Sequence, residues 1–141
     1  MTRRSPNELE HAWQTFVALV MDTRGDYRRE ASAATGLPFS RLRALKRVGY
    51  GPITLRALAE SMSTDAPAAT VIVNDLEERG FVRREPHPED KRAKVVSVTT
   101  EGKRVLRALA SVSDPVPPSF DALDEREIAT FVRIAEKIRA K

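Results

Sequence analysis

Apolar residues recur at helical spacing near the start of the chain. The run follows Ser5 and Pro6, a serine suited to an N-cap and a proline suited to the first helical position. Its main apolar positions are Leu9, Trp13, Phe16 and Val20. The pattern continues to about Ala34, where Gly36 and Pro38 end it. It predicts a long first helix whose apolar stripe is too wide for one small neighbour.

Three shorter helices are predicted in the middle of the chain. The second begins at Ser40, the third is capped by Thr54, and the fourth follows Asp65 and ends at Gly80. Their inward positions are Leu42, Leu45 and Val48, then Leu55, Leu58, Ala59 and Met62, then Ala69, Ile72, Val73 and Leu76. The short turn 61–64 between the third and fourth helices fits a helix-turn-helix.

Two β-type runs follow the fourth helix. They are Phe81–Arg84 and Lys94–Val98, and the loop Glu85–Ala93 between them carries two prolines and mixed charge. Two strands joined by a basic loop, directly after a short helix, are typical of the wing of a winged helix-turn-helix. Such a wing lies beside a helix that can enter a DNA groove.

The chain closes with two further predicted helices. The fifth helix runs from Gly102 to about Ser113, where the prolines of Asp114–Pro118 break it. The last helix begins at Asp124, with a start that resembles a capping box. Their apolar positions are Val105, Leu106, Leu109 and Val112, then Ile128, Phe131, Val132, Ala135 and Ile138. The predicted fold is mainly α: an α+β winged helix of six helices with a two-stranded β-wing.

Composition narrows the class of function. The 141 residues, 41% hydrophobic and 31% charged, suffice for one ordered domain, and the net charge of +4 favours polyanions modestly. There is no cysteine, which excludes thiol redox sensing, structural disulfides and cysteine-based zinc sites. We also predict no metal and no cofactor. His11 and His87 lie on different elements, and the carboxylates are scattered at helix-surface spacing rather than gathered with a base, so an enzyme is not predicted. Without a membrane-spanning run or a signal peptide, we expect a cytoplasmic protein.

Three motifs lie in the middle of the chain. Thr54–Ala59 reads TLRALA, and Leu76–Val82 reads LEERGFV. The third motif is the wing, with Asp90–Arg92 (DKR), a strand, and then Val98–Gly102 (VTTEG). These motifs resemble the MarR family (multiple antibiotic resistance regulators), whose wing reads Asp-x-Arg, a strand and Leu-Thr-x-x-Gly. The resemblance covers roughly residues 38–110.

The resemblance implies a homodimeric transcription regulator, usually a repressor, that binds an inverted-repeat operator in double-stranded DNA. Residues 1–37 and 102–141 would supply dimerisation helices that intertwine around a two-fold axis, and residues 38–101 the winged helix-turn-helix DNA-binding domain. A two-fold dimer sets its recognition helices about one DNA turn, ~34 Å, apart. The predicted dimer interface consists of Leu9, Trp13, Phe16, Val20, Leu109, Val112, Ile128, Phe131, Val132 and Ile138.

The resemblance places the fourth helix in the major groove and the wing arginine, Arg92, in the minor groove, oriented by Asp90. A solvated ion pair of little energetic value is the alternative for these two residues. The candidate phosphate contacts are Thr54, Arg56, Arg83, Arg84, Lys91 and Lys94. The candidate base contacts are Asn74 for adenine, Thr70 as donor or acceptor, and Ala68 and Val71 for thymine methyls.

The fourth helix departs from the family pattern. Where many members carry arginine, this chain has Val71, and from Asp65 to Arg79 the only basic residue is Arg79, against four acids. These acids keep a second interpretation open, in which the winged helix is a protein-interaction module without specific DNA binding.

The effector site also stays open. Family members often bind small aromatic compounds between the dimerisation helices and the DNA-binding lobe. The aromatic residues near that position are Trp13, Phe16 and Tyr27, for which core or dimer packing is the alternative. Phe39, Arg43 and Tyr50 lie near it as well, and no effector is named from them.

Overall fold

The structure, a computed structural model, describes residues 5–140. The elements are α1 Pro6–Thr35, α2 Phe39–Gly49, β1 Ile53–Thr54, α3 Leu55–Ser61, α4 Ala66–Glu78, β2 Val82–Pro86, β3 Lys94–Val98, α5 Thr100–Ala110, a 3₁₀-helix Pro118–Ala122, and α6 Glu125–Arg139. The six helices follow the predicted order. Residues 1–4 of the predicted segment 1–37 and residue 141 of the segment 102–141 lie outside the described residues.

The first helix begins and ends at the predicted signals. Ser5 is its N-cap, and the Glu8 backbone N–H donates to Ser5 Oγ at 3.3 Å. Gly36 ends it with a φ of 71°, a left-handed conformation that glycine adopts without strain. Along these 30 residues only Ala31 is buried, so most of α1 lies outside the core.

The core lies where α2, α3 and α4 meet the sheet. The N-caps Thr54 and Asp65 fix the starts of α3 and α4, accepting the N–H groups of Ala57 (3.1 Å) and Ala68 (2.8 Å). The inward positions predicted for α2 and α4 are all buried. The largest fully enclosed side chains are Leu37, Leu42, Leu45, Leu58, Leu76, Val48, Val73, Val82 and Val96. With one face packed on this core, α4 turns its other face to solvent.

A three-stranded antiparallel sheet, in the order β1-β3-β2, forms the wing and its base. The two predicted wing strands are β2 and β3, paired from Val82 opposite Val98 to Pro86 opposite Lys94, and β2 continues two residues past its predicted end at Arg84. The prediction omitted β1, which pairs with the middle of β3. Two strand residues directly before a helix show no alternation of apolar and polar positions, so periodicity could not reveal them.

The fifth helix begins at Thr100, because Thr99 is its N-cap. This agrees with a helix start at Thr99 or Thr100, whereas the predicted bound at Gly102 lies two residues later. The Thr99 hydroxyl accepts the Gly102 N–H (3.1 Å) and donates to the Gly80 carbonyl (2.6 Å). The Thr99 N–H donates to the Phe81 carbonyl at 3.0 Å. These three bonds join the start of α5 to the start of the wing.

The C-terminal segment follows the prediction with one shift. α5 ends at Ala110, whereas the prediction extended it to about Ser113. Asp124 and Glu127 form a reciprocal capping box at the start of α6, with N–H to oxygen distances of 2.9 and 3.0 Å. No residue of α6 is buried. Within residues 5–140, no helix combines the length and the apolar character that crossing a membrane requires.

Candidate nucleic-acid interface

The wing tip, residues 87–93, is closed by its own hydrogen bonds. The His87 N–H donates to the Ala93 carbonyl and the Ala93 N–H donates to the Asp90 carbonyl, both at 3.0 Å. The Asp90 carboxylate accepts the backbone N–H of Arg92 at 3.0 Å. Asp90, expected to orient the side chain of Arg92, thus bonds its backbone, because the two residues form a tight turn. The guanidinium stays exposed.

Cations are exposed on the wing. Lys91, Arg92 and Lys94 are exposed, and no carboxylate within residues 5–140 lies at ion-pair distance from them. Arg83 is exposed too, with its Nε 3.2 Å from Oε1 of Glu85. An exposed pair of this kind stabilises little, so Arg83 can exchange Glu85 for an external anion at small cost.

The solvent face of α4 is mostly apolar. Val71 is 58% exposed and Asn74 is exposed, whereas Ala68 and Thr70 are half-buried. The Thr70 hydroxyl donates to the Ala66 carbonyl, one turn earlier, at 2.8 Å. Its oxygen can therefore accept a hydrogen bond from outside the protein but not donate one. Such a face suits base edges better than phosphates.

Asp75 of α4 lies between two arginines. Its Oδ1 is 2.9 Å from Nε of Arg79, and its Oδ2 is 2.9 Å from Nε of Arg41 on α2. The hydrogen bonds from Arg79 and then Arg41 hold the pKa of the Asp75 carboxyl below its usual range. The negative charge of Asp75, one of the four acids counted from Asp65 to Arg79, is thereby compensated within the protein.

Glu77 connects α4 to the wing through Arg84 of β2. One carboxylate oxygen lies 2.9 Å from Nη2 of Arg84, and the other accepts the Arg84 backbone N–H at 2.9 Å. The hydrogen bond from the arginine side chain is the main cause of the lowered pKa of Glu77. Arg84, expected to contact phosphate, is therefore engaged within the protein, where it holds β2 against α4.

The start of α3 carries the two remaining candidate phosphate contacts. The Thr54 oxygen is occupied as the N-cap of α3, but its O–H can still donate. Arg56 is exposed, with its Nε 3.3 Å from Oε1 of Glu60 on the next turn. This exposed pair contributes little to stability, so Arg56 can also turn to an external anion.

A cavity of about 390 Å³ lies between α1, α2 and α5. Four residues considered for an effector line it: Tyr27, Phe39, Arg43 and Tyr50. Arg24, Lys46 and Arg47 add to the lining, which contains no acid, whereas Trp13 and Phe16 lie elsewhere. The rings of Tyr27 and Phe39 meet edge to face, and the Arg24 guanidinium lies 4.1 Å from the centre of the Tyr27 ring. The cavity is thus both cationic and aromatic.

The apolar faces of the terminal helices are exposed in the single chain. Eight of the predicted interface residues belong to them: Leu9, Trp13, Phe16, Val20, Ile128, Phe131, Val132 and Ile138. Val112 is half-buried. Leu109 is a correction: it is only 7% exposed because α5 packs against α1 and α2, so it belongs to the core of the subunit and has almost no surface for a partner.

The family model described as the MarR family matches residues 41–94. That segment runs from α2 through the helix-turn-helix to the end of the wing loop. Over these residues the chain is similar to the MarR family.

The chain is also similar to curated relatives and to solved structures. The transcriptional regulator HosA of Escherichia coli O111:H- is 37% identical over 84 residues, which are 58% of this chain and 62% of HosA. The chain thus spans less than two thirds of the length of this relative. The transcriptional regulator BldR from Sulfolobus solfataricus has a TM-score of 0.76 at 19% identity, covering 98% of this chain and 99% of BldR.

A mutant MarR from E. coli, whose structure is a complex with operator DNA, has a TM-score of 0.73 at 21% identity, covering 96% of this chain and 99% of that one. At these identities the two structures show the MarR fold alone.

Within residues 41–94, sequence reasoning missed the contact that joins α2 to α4. Arg41 and Asp75 are 34 residues apart, so no local spacing relates them. The partner of Asp75 on its own helix, Arg79, stands four residues later, a spacing that the sequence does display. Glu77 and Arg84 are seven residues apart across the turn at Gly80, and only the fold brings them together.

Proposed function

We propose that the chain is a DNA-binding transcription regulator of the MarR type, which binds an inverted-repeat operator as a homodimer and represses transcription. The observation that carries this proposal is the exposed group of cations on the wing, Lys91, Arg92 and Lys94. A guanidinium at a wing tip suits a narrow minor groove, where the negative potential of DNA is concentrated. Two comparisons support the proposal: HosA is named a transcriptional regulator, and the mutant MarR was solved in complex with operator DNA.

The charges around α4 favour DNA over a protein partner. Two of the four acids that suggested a protein-interaction module, Asp75 and Glu77, are hydrogen-bonded to arginines within the chain. The middle of the solvent face of α4 therefore presents the apolar Val71 and the amide of Asn74, and the other two acids, Asp65 and Glu78, lie exposed at the two ends of the helix. With the cationic wing, this face forms the combination that groove binding needs, in which phosphate contacts position the protein and base contacts specify the sequence.

A homodimer accounts for the terminal helices. Of the 30 residues of α1 only Ala31 is buried, and none of α6 is, although both helices carry large apolar side chains. Exposed apolar surface of this extent marks an interface. Two-fold pairing of these helices would cover it and place two copies of α4 about one turn of DNA, ~34 Å, apart.

The decisive experiment is a DNA titration across salt concentration with the native protein and Arg92→Ala. Neutralised phosphates release counterions, so log K falls with log salt with a slope of about −0.9 per phosphate. If the two wing tips neutralise about six phosphates, the native slope is about −5, and Arg92→Ala flattens it by about two units. The probe is the duplex upstream of the protein's own gene, followed by fluorescence anisotropy.

The matched control is Lys137→Ala, which removes one exposed positive charge from α6. It should keep the native slope, because α6 is assigned to the dimer and not to DNA. Equal slopes for native protein and Arg92→Ala would contradict the role of the wing arginine. No salt-sensitive binding to any duplex would favour the protein-interaction module. A promoter–reporter assay then decides the direction of regulation, since a repressor lowers expression from the bound promoter.

We extend the proposal to a small aromatic anion that binds the cavity and weakens DNA binding. Its lining offers guanidinium and ammonium groups to a carboxylate and aromatic rings to the body of the ligand. α2 both lines the cavity and holds Asp75 of α4 through Arg41, so a ligand that moves α2 also acts on α4.

Benzoate is a suitable probe for this cavity, with neutral benzamide as the matched control. Benzoate, but not benzamide, should raise the thermal midpoint of the native protein, and Arg43→Ala should remove that increase. A shift that is the same for both compounds, or that Arg43→Ala leaves intact, would contradict the cavity as an anion site.

A further inference from the structure

The recognition surface of α4 lacks the usual means of contacting guanine. Residues 66–78 contain no lysine and no arginine. The nearest candidates, Arg79 and Arg41, each direct Nε to Asp75 at 2.9 Å. The commonest specific contact to guanine is a bidentate hydrogen bond from arginine or lysine to its O6 and N7, so the residues of α4 itself cannot supply that contact.

The polar groups that α4 does present also disfavour guanine. The Thr70 hydroxyl already donates to the Ala66 carbonyl at 2.8 Å, so toward a base it can only accept. Guanine has two acceptors and no donor on its major-groove edge, whereas adenine has an N6 donor beside the N7 acceptor. The exposed amide of Asn74 matches the adenine edge with both of its groups. On guanine, its oxygen would face another acceptor.

Val71 supplies the apolar part of the same surface. It is 58% exposed at the centre of the solvent face of α4, with the half-buried Ala68 three residues earlier on the same helix face. The apolar group that a base pair presents in the major groove is the thymine methyl. A valine side chain therefore gains from an A·T pair and gains nothing comparable from G·C.

We infer that α4 recognises A·T base pairs, with Val71 on thymine methyls and Asn74 on adenine, and that it makes no direct contact to guanine. The inference rests on the proposed function and specifies its operator chemistry. It concerns the major groove alone, because the wing is assigned to the minor groove. Of the candidate DNA contacts, only those on α4 are assigned to base edges in the major groove, so a contact to the major-groove edge of guanine would contradict the inference.

The test begins with selection of duplexes from a random pool by the full-length protein. Selected duplexes are then resynthesised with uracil for thymine, which removes only the methyl, or with 7-deazaguanine for guanine, which removes only N7. Each methyl that Val71 covers should contribute about fourfold in affinity, from about 0.8 kcal/mol for a group of that size. Asn74→Ala should weaken binding on the order of 10-fold and relax the preference for adenine.

Val71→Ala serves as the matched variant. It should bind the thymine duplex more weakly than the native protein does, and it should bind the thymine and uracil duplexes equally well. Both substituted residues are exposed or on the solvent face, and circular dichroism checks that the variants remain folded. The inference is supported if the selected half-sites are rich in A·T and if replacing thymine with uracil weakens binding of the native protein but not of Val71→Ala. It is overturned if uracil has no effect, or if 7-deazaguanine weakens native binding. If no duplex is enriched or bound in low salt, the proposed function itself fails.

Discussion

Gly102 allows α5 to begin directly against the backbone of the wing. A Cβ placed on Gly102 would lie 2.1 Å from the Phe81 carbonyl oxygen and 2.7 Å from Cγ2 of Val98, whereas ordinary van der Waals contacts of a Cβ begin near 3.4 Å. Alanine at this position must therefore separate α5 from Phe81 by roughly 1.3 Å. The same oxygen accepts the Thr99 N–H at 3.0 Å, and a displacement of that size breaks the bond.

The substitution Gly102→Ala is expected to destabilise the protein by about 1–3 kcal/mol. Alanine is the better helix former by about 1 kcal/mol. That gain is offset by the lost hydrogen bond, which is worth about 1 kcal/mol. The cost of overpacking, about 1–3 kcal/mol, then remains as the net effect. A neighbouring backbone carbonyl cannot rotate away as a side chain can, which makes full relaxation implausible.

Gly25→Ala is the matched control. It also lies within a helix, and its nearest neighbour would be Nη1 of Arg29 at 3.5 Å, the end of a flexible side chain. This variant should be stabilised by about 0.5–1 kcal/mol. Urea unfolding followed by circular dichroism measures both variants, at one protein concentration because the stability of a dimer depends on it. A Gly102→Ala protein as stable as Gly25→Ala would refute the steric argument.

Two further predictions concern an ion pair and the proposed dimer. Because the pKa of Asp75 is lowered in the folded protein, its ion pairs contribute their full stabilisation when the pH is above the usual pKa of a carboxyl group. That stabilisation is lost as the pH falls below about 4. Asp75→Asn should therefore be less stable than the native protein at neutral pH. Urea unfolding at several pH values should show that the difference in unfolding free energy between the two proteins shrinks in acid. A difference that does not change with pH would contradict the assignment of this stability to the ion pairs. Ile138→Glu, on the exposed apolar face of α6, should yield a monomer by sedimentation, whereas Lys137→Glu on the same turn should not. A dimeric Ile138→Glu protein would exclude this face from the interface.

The sequence predicted those features whose causes lie within a few residues. Ser5, Thr54, Asp65 and Asp124 are N-caps in the structure because each side chain bonds an N–H three residues later, a relation visible in the sequence. The apolar spacing of α4 likewise predicted its buried face. Local hydrogen bonds and helical periodicity were sufficient for these elements.

The features that the sequence could not predict join distant residues. β1 exists because Ile53 pairs opposite Val96, 43 residues later, and two residues alone carry no strand pattern. Leu109 was assigned to the dimer interface because it belongs to the apolar face of α5. The position of a residue on an apolar face does not show whether that face packs inside its own subunit or against a partner, and Leu109 packs inside. The compensation of Asp75 by Arg41 also depends on the packing of α2 against α4.

The ion pair between Arg41 and Asp75 bears on two proposals at once. It compensates the charge of Asp75 on α4, and it links the helix that lines the cavity to the helix that would enter the major groove. A ligand can shift a conformational equilibrium only by the difference in its affinity for the two states. An anion in the cavity would therefore regulate DNA binding only if the cavity changes shape when α4 moves. Because α2 belongs to both, a change in its position relative to α4 alters the cavity and the ion pair together, and this is the physical route by which the two sites can be coupled.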